Sequence, residues 1–221
     1  MYSSAVEAGP SRWSQVERDF LAAMEAFDSA VVAGKTTQGD RQNGKGDFFN
    51  DVLALLLENC SRLVLDSRSG VPGLIFPTHN LDVTYPRSGL VEFLLEAKAV
   101  GTPKHPGSPR QPNALGRPGS ADLPKRIKEA AFKTIDLKAA YGFQAPEATT
   151  PAGDGNLTTW LRTMHPASYL FVSARVLSDG DFNAVINLGS AAAQVLDGVG
   201  LFCYEPIPGS PMRYKCGTCP G

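Results

Sequence analysis

Asp82, Glu96 and Lys98 are the residues whose types and spacing point to chemistry. They fall in two strand-like runs, Leu81–Tyr85 and Leu90–Val100, separated by the turn Pro86-Arg-Ser-Gly89. Residues two apart on a strand share a face, so Glu96 and Lys98 point the same way. A turn that pairs Asp82 with Leu94 would make Glu96 its same-face diagonal neighbour, roughly 7–8 Å away at Cα. Two carboxylates so placed suit one hard cation. Mg²⁺ takes one or two protein carboxylates and keeps the rest of its shell for water and phosphate oxygens. Lys98 would then stabilise charge developing on phosphorus, or position or deprotonate the attacking water. An acid, an acid and a lysine on one sheet face are costly as ordinary core, because charged groups are rarely buried unpaired.

The elements around these residues must position them. Val16, Phe20, Met24 and Phe27 recur at helical spacing, which predicts a helix over Trp13 to Ala33. Ser14 and Glu17 form a capping-box pattern at its start. Residues 34–46 are polar and glycine-rich and are expected to be a loop. Gly34-Lys35-Thr36 and Gly39 to Gly44-Lys45 lack the full phosphate-loop pattern and the preceding strand, so a nucleotide-binding loop is rejected. Asp47 to Cys60 carries the apolar stripe Phe49, Val52, Leu53, Leu56 and Cys60 and reads as a helix. Short strands are expected at Arg62–Leu65 and Gly73–Phe76. Past Lys98, residues 101–121 form a Pro/Gly/Ser-rich loop. A helix follows from Leu123 to Tyr141, with Pro124 in its first turn and Gly142 as its stop. Residues 144–157 are another loop. Ser168–Val176 then reads as a strand, Asp181–Leu196 as a helix and Gly198–Tyr204 as a last strand. The expected architecture is one mixed α/β domain over 1–221: an N-terminal helix and loop (14–46), a core (47–204) and a cysteine-containing tail (205–221).

Charge distribution adds a partner. From Lys98 to Lys138 there are nine Lys/Arg against three acids, a local +6 in a chain of net charge −1. A basic segment in an acidic protein is a candidate footprint for a polyanion. An acid on each of two adjoining strands, a Glu-x-Lys, a helix before and after, and this basic segment together resemble the PD-(D/E)xK nuclease superfamily, particularly type II restriction endonucleases. The resemblance spans roughly residues 47–176. It implies a restriction-endonuclease-like αβββαβ core with a mixed sheet flanked by helices. It also implies a Mg²⁺-dependent endonuclease on double-stranded DNA, with Asp82, Glu96 and Lys98 catalytic, Asp82 and Glu96 holding metal, and a homodimer cutting both strands. Two departures stand out: Leu81 replaces the proline before Asp82, and Asn50 stands where relatives carry a helix glutamate, with Glu58 or Asp51 as substitutes. Lys104, His105, Arg110, Arg117, Lys125, Arg126 and Lys128 would contact phosphates, and Gln111 and Asn113 would read base edges. The alternatives are a repair or processing nuclease on the same fold and a non-catalytic DNA-binding protein on a decayed one.

Cys216-Gly-Thr-Cys219, with Cys203, has part of a structural Zn²⁺ set; Cys60, His79, His105 and His165 compete for the fourth place. Four cysteines are too few for a disulfide scaffold of this length, so a reducing cytoplasm is expected. The N-terminal residues lack a basic start and an apolar run, so secretion is not expected. The longest apolar runs, Val52–Leu57 and Val199–Tyr204, fall short of the ~20 residues of a spanning helix.

Overall fold

The computed structural model describes residues 13–35, 38–104, 115–144, 160–161 and 163–217. Two helices come first, α1 (Trp13–Val32) and α2 (Gln38–Ser61). Three strands follow: β1 (Asp66–Val71), β2 (His79–Tyr85) and β3 (Phe93–Val100). Then come α3 (Gly119–Gln144), β4 (Ala167–Arg175), α4 (Asp179–Ala192), β5 (Gly198–Ile207) and β6 (Ser210–Cys216). The strands make one six-stranded sheet in the order β1 to β6. It is mixed: β3–β4 and β4–β5 are parallel, and the other neighbours are antiparallel.

Helices cover both faces. Phe20, Leu21 and Met24 of α1 and Phe49 and Leu53 of α2 pack with Val83, Leu95 and Ala97. On the other face Leu123 and Ala130 of α3 and Phe182 and Val185 of α4 pack with Val100, Leu170, Val172 and Ala174. A strand buried on both sides must be apolar at successive positions, which explains the run Phe93-Leu-Leu in central β3. No helix among the described residues is long and apolar enough to cross a membrane.

Several expected boundaries move, each for a tertiary reason. Residues 38–46 are helix, not loop. Glycine costs a helix about 1 kcal/mol against alanine, so local propensity disfavours this extension. It is held by the buried Lys45, whose Nζ donates to Asp28 Oδ1 of α1 at 3.1 Å and to the Tyr204 hydroxyl at 3.0 Å. Gly44 lets α1 approach: a Cβ there would stand 3.1 Å from the Phe27 ring. Neither Arg62–Leu65 nor Gly73–Phe76 is a strand. The first strand is instead the polar Asp66–Val71, an edge strand with little buried surface and hence no apolar pattern to read. Gly73–Phe76 is held as a bend by Asp136, which accepts from the Ile75 and Phe76 amides at 2.7 and 3.2 Å. α3 begins at Gly119 because Asp181 of α4 accepts from the Ser120 amide at 3.1 Å, and it runs past Gly142 to Gln144. The stretch from Glu205 onward is not a plain tail: its first part completes a β5–β6 hairpin.

Candidate active site

The two strand-borne acids meet where β2 and β3 part. The observed register pairs Val83 with Leu95 and Thr84 with Leu94. Continued by one residue, it sets Asp82 opposite Glu96 itself, not diagonal to it as the expected Asp82–Leu94 pairing had it. Regular pairing ends at Val83, and the Asp82 side chain takes over: its Oδ2 accepts from the Ala97 amide at 2.8 Å. Lys98 Nζ lies between the acids, 2.7 Å from Asp82 Oδ2 and 2.6 Å from Glu96 Oε2. The approach to Asp82 is an aligned hydrogen bond. The approach to Glu96 is close in charge but lacks hydrogen-bond alignment, leaving the buried Oε2 without a hydrogen-bond partner. Sequence spacing thus identified three residues that the fold does bring together.

A second lysine stands at the site that the sequence did not single out. Lys133 of α3 donates to Glu96 Oε1 at 2.8 Å and to the Asn80 carbonyl at 2.6 Å. Glu96 is only 1% exposed, yet both ammonium groups that touch it reach solvent. The sequence signal was the helical spacing of Arg126, Glu129 and Lys133. It marks one face of α3 without saying which part of the sheet that face meets.

These groups line a cleft of about 700 Å³, walled by β3 and its exit (Gly101, Thr102), α2 (Asn43, Gly46, Asp47) and α3 (Asp122, Arg126, Glu129, Lys133). Five carboxylates face it against three cationic side chains, a balance that favours a cation. The other large cavity, about 410 Å³ between α1, α2 and the sheet, is apolar and has Glu17 as its one charged lining residue. It offers no comparable constellation.

Electrostatics assigns Lys98 its form. Burial acts most strongly and lowers its pKa, but Glu96 and then Asp82 together outweigh burial and raise it above the ordinary 10.5. The side chain is therefore an ammonium at neutral pH. This favours charge stabilisation over proton abstraction among the roles expected of it.

Asp47 is the α2 acid that reaches the cleft. Asn50 is buried, and its Oδ1 has no hydrogen-bond partner. The expected substitutes are engaged elsewhere: Asp51 accepts from Arg68 Nη2 at 2.9 Å, and Glu58 accepts from the Leu65 amide at 3.0 Å. The two carboxylates on the cleft wall fit Mg²⁺, which needs no more protein ligands than Asp82 and Glu96. Among the described residues no group of three or more His, Cys, Asp or Glu is arranged to hold a metal. Such a set is what Zn²⁺ would require. Cys203 and Cys216 do come together, and burial and then Glu17 push the Cys216 thiol up to about 12. Cys219 lies outside the described residues.

The basic segment divides. Arg117 pairs with Asp122 at 2.7 Å, and Arg126 with Glu129 at 2.9 Å. Lys125 is 3.8 Å from Glu129 and largely exposed. Lys104 and Lys128 are exposed. His105, Arg110, Gln111 and Asn113 lie outside the described residues. The two ends of that loop are joined at the cleft, where Thr102 and Arg117 exchange backbone hydrogen bonds at 2.9 and 2.7 Å. Gly116 makes the junction possible: its φ is +102°, and a Cβ there would stand 2.2 Å from the Thr102 carbonyl oxygen. No protein-family profile, curated protein or solved structure matches this chain.

Proposed function

We propose that the chain is a Mg²⁺-dependent endonuclease acting on double-stranded DNA, of the type II restriction kind, and that it works as a homodimer. The observation that carries this reading is Lys98 seated between Asp82 and Glu96 in a polar, acid-rich cleft. The element order α2, β1, β2, β3, α3, β4 supports a restriction-endonuclease-like core around it. When bound, Mg²⁺ supplies positive charge beside the phosphate oxygens and orders water. Asp82 and Glu96 are the residues that would hold it. Asp82 is kept in place by the Ala97 amide, so its carboxylate is oriented by backbone and not only by a mobile side chain. Lys98, kept charged by the same acids, donates toward a non-bridging phosphate oxygen and stabilises the charge gained there during attack. The exposed lysines Lys104, Lys125 and Lys128 supply phosphate contacts that position the duplex. A two-fold pair of such sites would cut both strands.

Incubating the protein with plasmid and Mg²⁺ tests this directly, and discrete fragments are the expected result. Asp82→Ala and Glu96→Ala should bring cleavage below detection while a gel shift in Ca²⁺ persists. Ca²⁺ accepts the same oxygens with looser geometry and supports binding without reaction. Scattered nicks would shift the reading to a processing nuclease. A shift without any cleavage would leave a DNA-binding protein.

A further inference from the structure

The pair of lysines on Glu96 carries an inference about how the cleft is loaded, and it rests on reading the cleft as a divalent-cation site. Glu96 offers two oxygens, and an ammonium stands at each: Lys98 at Oε2 and Lys133 at Oε1. With Asp82 included, two carboxylates face two lysines, so the cluster is neutral as it stands. Adding a divalent cation to the same oxygens would leave an excess of +2 around a buried carboxylate. One ammonium must withdraw for the oxygens to be offered.

The partners distinguish which. Lys98 is held by two carboxylates. Lys133 is held by one carboxylate and one neutral carbonyl, that of Asn80. Withdrawing Lys133 therefore breaks one ion pair where withdrawing Lys98 breaks two. Lys133 also has somewhere to go, since it lines the open cleft and its side chain is 23% exposed. Its starting position is not accidental. One turn along, Asp136 accepts from the Ile75 and Phe76 amides and pairs with His79 at 2.6 Å, and Leu137 packs on Leu81 and Leu94. These interactions dock α3 against the start of β2 and set Lys133 over Asn80 and Glu96.

We infer that Lys133 is a displaceable latch: it occupies Glu96 Oε1 until a divalent cation takes that oxygen, and it is a positioning residue for the metal site rather than a group that touches substrate. Its charge opposes the cation, so removing it should tighten metal binding even where activity falls.

Mn²⁺ binding to the full chain, read from loss of the free-ion paramagnetic resonance signal, tests this without reference to cleavage. Lys133→Met, and Lys133→Gln as a second neutral variant, should tighten binding about tenfold or more. Lys133→Arg keeps the charge and should stay close to the parent. Glu96→Gln should remove binding in the parent and in the Lys133→Met background. Equal affinity in the parent, Met and Gln proteins, all abolished by Glu96→Gln, would overturn the latch while leaving the metal site intact. Binding indifferent to Glu96→Gln, or absent from every variant, would overturn the metal reading and the latch with it.

Discussion

Two charged clusters sit on this sheet, and they are built differently. In one, Asp28 of α1 receives Lys45 Nζ at 3.1 Å and the Tyr214 hydroxyl at 2.6 Å. Lys45 also donates to the Tyr204 hydroxyl, and Arg175 Nε donates to that of Tyr214 at 3.1 Å. Asp28, Lys45, Tyr204 and Arg175 are all within 3% of full burial. Burial first, then the Asp28 charge, push the Tyr214 phenol up, so it stays a donor. The other cluster, Asp82, Glu96, Lys98 and Lys133, opens onto the cleft, and one buried carboxylate oxygen has no hydrogen-bond partner. The sealed cluster joins α1 and α2 to β4, β5 and β6. The open one joins less and offers more. Each holds one buried atom without a hydrogen-bond partner, Arg175 Nη2 in the first and Glu96 Oε2 in the second, so what separates them is access: a charge group sealed from solvent is structural, and one whose members line a cleft can meet a ligand.

The largest separation between the two should appear in stability. Asp28→Ala strands a buried ammonium and removes an acceptor from Tyr214, which should cost about 3–5 kcal/mol in urea unfolding. Glu96→Gln should cost about 1 kcal/mol or less, because Lys98 and Lys133 keep their second partners and reach water. Comparable losses from both substitutions would erase the distinction between a sealed and an open cluster.

That contrast also shows what was legible in the sequence. The Asp82, Glu96, Lys98 grouping could be read because a strand has a period of two and the motif lies within two adjoining strands. The two-sided burial of β3 could be read from its apolar run. Lys45 could not, because it lies in a polar, glycine-rich stretch whose helical state depends on Asp28 and on a tyrosine 159 residues further on. Lys133 could not for a related reason: its role follows from how α3 docks, and the docking residues Asp136, His79 and Leu137 signal nothing by spacing. β1 was misplaced because an exposed edge strand needs no apolar alternation. Partners distant in the chain set the remainder.

Two lysines sharpen the comparison through pH. Lys98 has a pKa raised above 10.5, since Glu96 and Asp82 outweigh burial. The stability it contributes is complete below 10.5 and is lost as pH rises through its folded value. Lys138 is wholly buried, and there burial prevails over its pairing with Asp197, so its pKa is lowered. Between that lowered value and 10.5 the unfolded chain binds the proton better, so this group makes stability rise with pH. The slopes are opposite in sign. Urea midpoints measured from about pH 9 to pH 11 should fall less steeply in Lys98→Met than in the parent, and more steeply in Lys138→Met. The same direction of change in both variants would contradict the assignment.

The smallest effect concerns the basic residues from Lys104 to Lys128, where the same logic of paired and exposed charge applies. Arg117 and Arg126 are already paired with Asp122 and Glu129. Lys104 and Lys128 are exposed and have no salt-bridge partner among the described residues. An unpaired lysine releases a counterion from DNA when it binds a phosphate, whereas a paired arginine must first give up its acid. Each neutralised phosphate adds about −0.9 to the slope of log K against log salt. Replacing Lys104 and Lys128 together with Ala should therefore make the slope for DNA binding in Ca²⁺ shallower by about one unit for each phosphate that is no longer neutralised. Arg117→Ala and Arg126→Ala should change it by less, since each frees an acid that was already neutralised. Slopes that respond to the arginines and not to the lysines would mean that DNA breaks the Asp122 and Glu129 pairs on binding. The duplex would then lie along the acid-lined wall of the cleft, and not against the exposed lysines.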